Sequence, residues 1–136
     1  LAGAYTNNVA VRDDHVIHQS WADICEAVGC KMIIPLRDNP ENQKPKEDRD
    51  VRKLFDWTVE KVKSCDVLIA DVSNPSLGAG GELILAYTFK KPIVLISKKG
   101  SVVSNFGLGN PEVVYHVEYE TVEEAGKMLR NVLRQL

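Results

Sequence analysis

The chain is short of several things, and each shortage closes off a class of function. Only 3 of its 136 residues are cysteines, and Cys25, Cys30 and Cys65 have neither metal-knuckle nor redox spacing. An odd, scattered set fits a reducing compartment better than a disulfide framework, so a cytoplasmic location is expected. No apolar run approaches the ~18 residues that cross a bilayer, and no secretory leader is legible. The net charge of -2 argues against a nucleic-acid polymer or a membrane surface as partner. There are 3 histidines; His15 and His18 share a helix face, but a metal site needs further ligands. No metal and no cofactor are expected. Repeats, low-complexity stretches and linkers are absent too. With 44% hydrophobic and 26% charged residues, residues 1–136 read as one globular domain with a core of ordinary size.

What the chain does have is an alternation of buried strands and amphipathic helices. Strands are expected at Leu1–Gly3, Met32–Pro35, Val67–Asp71, Pro92–Ser97 and Val113–Glu118. Val67–Ala70 is an unbroken apolar run, as in a strand covered on both faces. Helices are expected at His15–Val28, with Gly29 as its stop, then Arg49–Ser64 and Gly81–Lys90. A short turn or helix should fill Ser101–Gly109. Thr121 caps a last helix, with Glu124 completing a capping box. Along Arg49–Ser64, Val51, Leu54, Phe55, Thr58, Val59 and Val62 form one stripe, of which Thr58 is the polar member. Strands and helices at this spacing predict an α/β fold, a flavodoxin-like (Rossmann-like) three-layer sandwich. Its five-stranded parallel sheet should have the order 2-1-3-4-5. Leu36–Asp48 is long for a connection, so a functional lid or a mobile segment is expected.

The most informative stretch is Ser64–Gly100. After the strand ending at Asp71 comes Val72-Ser73-Asn74-Pro75-Ser76-Leu77-Gly78-Ala79-Gly80-Gly81, then Glu82 at the expected first helical turn. Gly-rich connections at a strand's carboxyl end bind ligands in open α/β sheets, and free backbone N–H groups suit an anion. The helix dipole would keep a first-turn Glu82 ionised. The glycines could equally serve turn geometry alone. The string is no P-loop, since no Lys-Ser/Thr follows the last Gly, and no dinucleotide fingerprint, since it lies at the third strand.

Asp66–Glu82, with its Pro75-Ser76-Leu77-Gly78-Ala79-Gly80-Gly81-Glu82 string, resembles the signature of the nucleoside 2-deoxyribosyltransferase superfamily. The branch most like it is the 2'-deoxynucleoside 5'-monophosphate N-hydrolases, whose string reads P-S-L-G-x-G-Y-E. The resemblance implies an enzyme in which Glu82 attacks the anomeric carbon and displaces the base, leaving a deoxyribosyl ester. Water then completes hydrolysis, or a second base completes transfer. An opposed carboxylate suits an oxocarbenium-like transition state.

The resemblance further implies substrate-binding roles for Gly3, Tyr5, Thr58, Ser76, Gly78, Gly80 and Ser104. Gly3 ends the first strand at the sugar site. Ser76, with the Gly78 and Gly80 N–H groups, would cradle a 5'-phosphate that an acid at position 76 would repel. Ser104 would reach the phosphate of a neighbouring subunit, which implies a homodimer or higher homo-oligomer with a shared site; it could also simply cap a turn. Three residues depart from the pattern. Gly81 replaces a tyrosine, Thr58 replaces an aspartate that bonds the sugar, and Ala4 replaces a serine. Asp56 lies about 200° round the helix from Thr58 and cannot stand in for it. A nucleotide-binding or sensing module with weakened catalysis is the alternative these departures favour.

Other polar candidates are Tyr5, Asn7, Asn8, Asp38, Asp48 and Asp50. Asp71 reads more readily as a holder of loop N–H groups than as a catalyst, and His116 as a strand residue. Trp21 and Trp57 read as core or interface residues or as a cover for a base. Lys90-Lys91 and Lys98-Lys99 read as solvated element ends or as attractors of an anionic nucleotide.

Overall fold

The structure, a computed structural model, describes residues 2–4 and 11–136, with side chains from residue 17 onward. Strand β1 (Ala2–Ala4) is followed by helix α1 (Val11–Glu26), helix α2 (Pro35–Asp38) and two 3-10 turns (Pro40–Gln43 and Lys46–Asp48). Then come α3 (Val51–Ser64), β2 (Leu68–Asp71), α4 (Leu77–Thr88), β3 (Ile93–Lys98), α5 (Asn105–Leu108), β4 (Val113–Tyr119) and α6 (Val122–Leu133). Among the described residues the sheet has four strands, all parallel, in the order β1-β2-β3-β4. Gly3 pairs with Ile69, and Ile69 with Val94.

The period-2 alternation of strand side chains divides the core into two layers. Leu68, Ala70, Ile93 and Leu95 pack against Val62 of α3 and Ala79, Leu83 and Ala86 of α4. Ile69, Val94, Ile96 and Val117 pack on the other face against Trp21 and Cys25 of α1 and Ala125 and Leu129 of α6. Helices therefore cover both faces of a parallel sheet, as the strand pattern predicts. Fully burying each such aliphatic side chain contributes roughly 1.5–3 kcal/mol. Trp21 is a core residue, its ring edge-on to Tyr119 and its Nε1 donating to the Val122 carbonyl at 3.1 Å. Burial pushes the Cys25 thiol up to about 11, with Cys30 and Glu26 adding to the shift, so Cys25 is an inert core residue.

Three expectations change. The strand expected at Met32–Pro35 is reduced to one bridge residue, Ile33, so four strands are described where five were expected. The reason is local: Pro35 has the backbone angle and missing N–H of a first helical residue. Asp38 accepts the Ile34 N–H at 2.8 Å, closing a helical turn where the strand would run on. The stretch 36–48, expected as an irregular lid or mobile segment, is built from α2 and two 3-10 turns. The Asn39 side chain caps the first of these turns, and Asn42 and Gln43 donate to the carbonyls of Pro35, Leu36 and Arg37. The third change, the start of α4, bears on the site.

At the carboxyl end of β2 the Asp71 side chain takes the Ser73 N–H at 3.0 Å and faces His18 Nε2 at 3.3 Å, 53 residues away in sequence. It is thus a holder of loop N–H groups, as its position suggested. Burial opposes its ionisation, but the bonds from His18 and Ser73 outweigh it and hold the carboxyl below the ordinary aspartate value. A depressed folded-state value adds stability above the unfolded pKa, and that stability is lost as pH falls through the folded one. Asp71→Asn should therefore cost about 1–3 kcal/mol at pH 7 and flatten the acid limb of the stability curve. Urea unfolding at pH 7 and at pH 3 reads both, and an equal loss at the two would show that the charge is irrelevant.

Candidate active site

Helix α4 starts at Leu77, four residues before the expected start at Gly81. Ser76 is its N-cap: Ser76 Oγ accepts the Ala79 N–H at 3.2 Å, and the Ser76 carbonyl accepts the Gly80 N–H at 3.0 Å. A serine cap after Pro75 overrides the loop preference of three nearby glycines. Glu82 is consequently the sixth helical residue rather than a first-turn one. It lies beyond the turn over which the helix dipole acts. The cradle also differs from expectation. The Gly80 N–H is committed inside the helix, and Ser76 Oγ to its cap, so the first-turn N–H groups that helix geometry leaves free are those of Leu77 and Gly78.

Glu82 shares the inner face of α4 with Ala79, Leu83 and Ala86, and is only 8% exposed. A glutamate on the core-facing stripe of a helix contributes nothing to apolar packing and marks a site. It lines a cavity of about 760 Å³ together with Thr58 of α3, Gly78, Gly81 and residues of the 36–50 segment. Helix α3 runs into β2 and α4 runs out of it, so their facing N-terminal halves open this groove at the carboxyl end of the strands. Thr58 and Glu82 also line a smaller cavity with Trp57 and Lys61. The Thr58 hydroxyl donates to the Leu54 carbonyl at 3.0 Å, which leaves its oxygen as an acceptor toward the groove.

The apolar stripe of α3 divides between two tasks. Val62 is buried in the core, but Val51 and Phe55 are 78% and 58% exposed and line the groove with Leu54 and Val59. Helical periodicity cannot tell a core face from a groove face, because both need apolar residues at the same spacing. Gly81 adds room: a Cβ there would meet nothing within 4 Å.

The structure unites Glu82, Thr58 and Gly78 at one groove. Ser76 and Gly80 lie on the same helix start, outside the lining. Ser104 is the exposed N-cap of α5 and makes no side-chain cap bond. Gly3 sits in β1, beside Ile69. Tyr5, Asn7, Asn8 and the His15 side chain lie outside the described residues. Asp38 pairs with Arg37, and Asp50 caps α3; neither they nor Asp48 line the groove. His116 bonds Ser97 Oγ at 2.8 Å. No group of three or more His, Cys, Asp or Glu suited to a metal occurs among the described residues. Lys46 and Arg49, which do line the groove, carry no sequence signal, being two cations in a charged, Pro-rich stretch.

A parallel sheet wrapped on both faces, with a buried glutamate in a groove at the strand ends, defines an α/β protein built to act on a small ligand. The family model for nucleoside 2-deoxyribosyltransferase matches residues 1–129, and the chain belongs to that family. Two relatives are provisionally named 2'-deoxynucleoside 5'-phosphate N-hydrolase 1. The one from Methanosarcina mazei is 28% identical over 105 residues, 77% of this chain, and the one from Syntrophotalea carbinolica is 30% identical over 76 residues, 54% of this chain. The chain spans 65% and 53% of the length of those relatives. Among solved structures, the CMP N-glycosidase of Clostridium botulinum superposes with a TM-score of 0.73 at 16% identity, over 96% of this chain and 97% of that one. The 2-deoxyribosyltransferase of Bacillus psychrosaccharolyticus gives 0.66 at 16% identity, over 92% and 88%. At such identities these two show that the fold is shared.

Proposed function

We propose that the protein is an enzyme that cleaves the N-glycosidic bond of a 2'-deoxynucleoside 5'-monophosphate through a covalent intermediate on Glu82. The observation that carries this reading is a glutamate, inside the span that the family model matches, that turns to the core side of α4 and opens into the same groove as Thr58. The names of the two curated relatives point to the same substrate class. In the first step a Glu82 carboxylate oxygen bonds to the anomeric carbon. The base departs with the electrons of the C–N bond and acquires a proton. In the second step water attacks the same carbon, releases the sugar phosphate and returns Glu82 to its carboxylate. The exposed apolar flank of α3 offers the base a surface on which Phe55 can stack.

Base transfer is the second reading, since a second base can take the place of water at the ester. A nucleotide-binding module with weakened catalysis is the third, favoured by Thr58 and Gly81. Incubation with deoxynucleosides and their monophosphates, with and without an acceptor base, separates the three. Base released without acceptor means hydrolysis, exchange only with acceptor means transfer, and binding without turnover means sensing.

The reading extends to a homodimer with a shared site, with Ser104 reaching the partner's phosphate. Exposed apolar residues support it: Leu77, at the mouth of the groove, is 96% exposed, and Val102 and Phe106 flank Ser104 in the open. Sedimentation equilibrium giving a monomer at micromolar concentration would remove this part.

Ser76→Asp tests the phosphate assignment cleanly, because aspartate caps a helix as well as serine and α4 should stay intact. The expected outcome is weaker binding of 5'-monophosphates, with free nucleosides spared or improved. Equal losses on both would leave Ser76 as a cap only.

A further inference from the structure

The groove that opens onto Glu82 also holds two cations. Lys46, in the second 3-10 turn, and Arg49, its C-cap, line it alongside Thr58, Gly81 and Glu82. Glu82 is the only acid lining this cavity among the described residues, so the formal charge of the lining is positive even with Glu82 ionised.

Arg49 is oriented by the backbone. Its Nε donates to the Lys44 carbonyl at 3.1 Å and its Nη2 to the Asn42 carbonyl at 3.3 Å. Two of five guanidinium N–H groups are thereby used, and three remain. Carbonyls hold the planar fork without cancelling its charge. Arg37, Lys44 and Arg52 each pair with a carboxylate, whereas among the described residues neither Lys46 nor Arg49 does.

The segment carrying the two cations is braced on both sides by one buried acid. Glu41 accepts Lys44 Nζ on both oxygens, at 2.9 and 3.0 Å, and the Asp50 N–H at 2.9 Å. The bond from Lys44, followed by that from the Asp50 N–H, holds the Glu41 carboxyl below its ordinary value. Glu47, Asp48 and Asp50 flank the two cations along the chain, but among the described residues none of them lines the cavity or forms an ion pair with Lys46 or Arg49, and Glu41 is spent on Lys44 and the Asp50 N–H. An Arg–Lys pair on the wall of an apolar groove, with the Arg held by carbonyls and neither cation in an ion pair among the described residues, is an arrangement that binds oxyanions. The Gly-rich turn opposite offers fewer free N–H groups than its sequence suggests, since those of Ala79 and Gly80 are taken.

We propose that Lys46 and Arg49 form an oxyanion subsite of this groove that selects a substrate carrying a negative group, either a phosphate on the sugar or a carboxylate on the base. The subsite rests on the reading that the groove binds nucleosides. Arg49 supplies directed donors, and Lys46, exposed and free to swing, supplies the second charge.

Calorimetric titration tests this in a Glu82→Gln background, which prevents turnover. The ligands are a 2'-deoxynucleoside 5'-monophosphate, the same free nucleoside, and a free nucleoside whose base bears a carboxylate. They are titrated into proteins that also carry Lys46→Gln, Arg49→Gln or Arg49→Lys. The expected result is a Kd for one of the anionic ligands raised about tenfold by either glutamine variant, as for a lost charge-assisted bond. The neutral nucleoside should change less than about twofold, and the salt dependence for the anion should shrink. Which anionic ligand responds identifies the source of the charge. Arg49→Lys should recover part of the loss. Should Arg49→Gln perturb the fold, Lys46→Gln decides alone, since among the described residues the exposed Lys46 side chain makes no hydrogen bond or ion pair. Equal weakening of charged and neutral ligands, or no change in either, overturns the subsite. With Glu82 intact, anion selection that follows Lys46 and Arg49 but no base release from any substrate would sink the glycosidase reading and leave the subsite standing. Base release with unaltered preference in both variants would do the reverse.

Discussion

Replacing Glu82 by Gln is expected to lower turnover at least roughly 10²-fold while leaving nucleotide binding in place, the low end for loss of a catalytic side chain. Glutamine keeps the shape and volume of the side chain on the inner face of α4, so Ala79, Leu83 and Ala86 should pack as before. It cannot form the ester, because an amide oxygen is a far weaker nucleophile than a carboxylate. The measurement is base release under single-turnover conditions, with binding followed separately by calorimetry. Glu82→Ala should show the same loss of turnover, and it leaves a small void beside the groove. Near-wild-type release by either variant would end the covalent mechanism, whatever the fold similarity.

Thr58→Asp is expected to raise activity by about tenfold or more, the direction opposite to most substitutions at a site. The hydroxyl of Thr58 donates within its own helix, to the Leu54 carbonyl. What it presents to the groove is an uncharged acceptor. An aspartate at the same place would offer a charged acceptor to the sugar and a group able to assist proton transfer to the leaving base. The cost is the partial burial of a carboxylate near Glu82, so the melting temperature should be checked first. A fall in activity in a folded variant would show that this protein's substrate differs from the family's and that Thr58 suits it. The comparison is meaningful because Thr58 and Glu82 line the same two cavities; had they lain apart, the matching of position 58 to the family aspartate would have been lost.

Much of this was legible beforehand, and the reasons differ by element. The strands at β2 and β3 were readable because each is a short apolar run with β-branched residues, bounded by polar or turn residues, as a parallel strand buried on both faces requires. The start of α6 was readable from Thr121, whose Oγ1 does accept the Glu124 N–H at 3.2 Å. The Glu124 carboxylate reaches back to the Glu120 N–H, one residue beyond the capping-box position. Gly29 stops α1 with a left-handed φ of 88°, as its place after the stripe suggested. The start of α4 differs from the expectation because one serine cap at Ser76 outweighs the loop preference of the glycines that follow it. The second expected strand is lost because Met32–Ile34 is apolar enough for either outcome and Pro35 decides it.

By itself, then, the sequence determined what depends on neighbours along the chain: the alternation of strand and helix, the caps, the apolar faces, and the Pro75–Glu82 string on which the family resemblance was read. Those signals are local, set by backbone sterics and by periodicities of 2 and 3.6. Tertiary structure decided what depends on residues far apart in sequence. It split the α3 stripe into a core half ending at Val62 and a groove half at Val51 and Phe55. It brought His18 to Asp71 and set Lys46 and Arg49 around the cavity of Glu82. No local rule specifies such meetings, because they follow from how helices on the two faces of a parallel sheet are returned to its carboxyl end, where the connections converge.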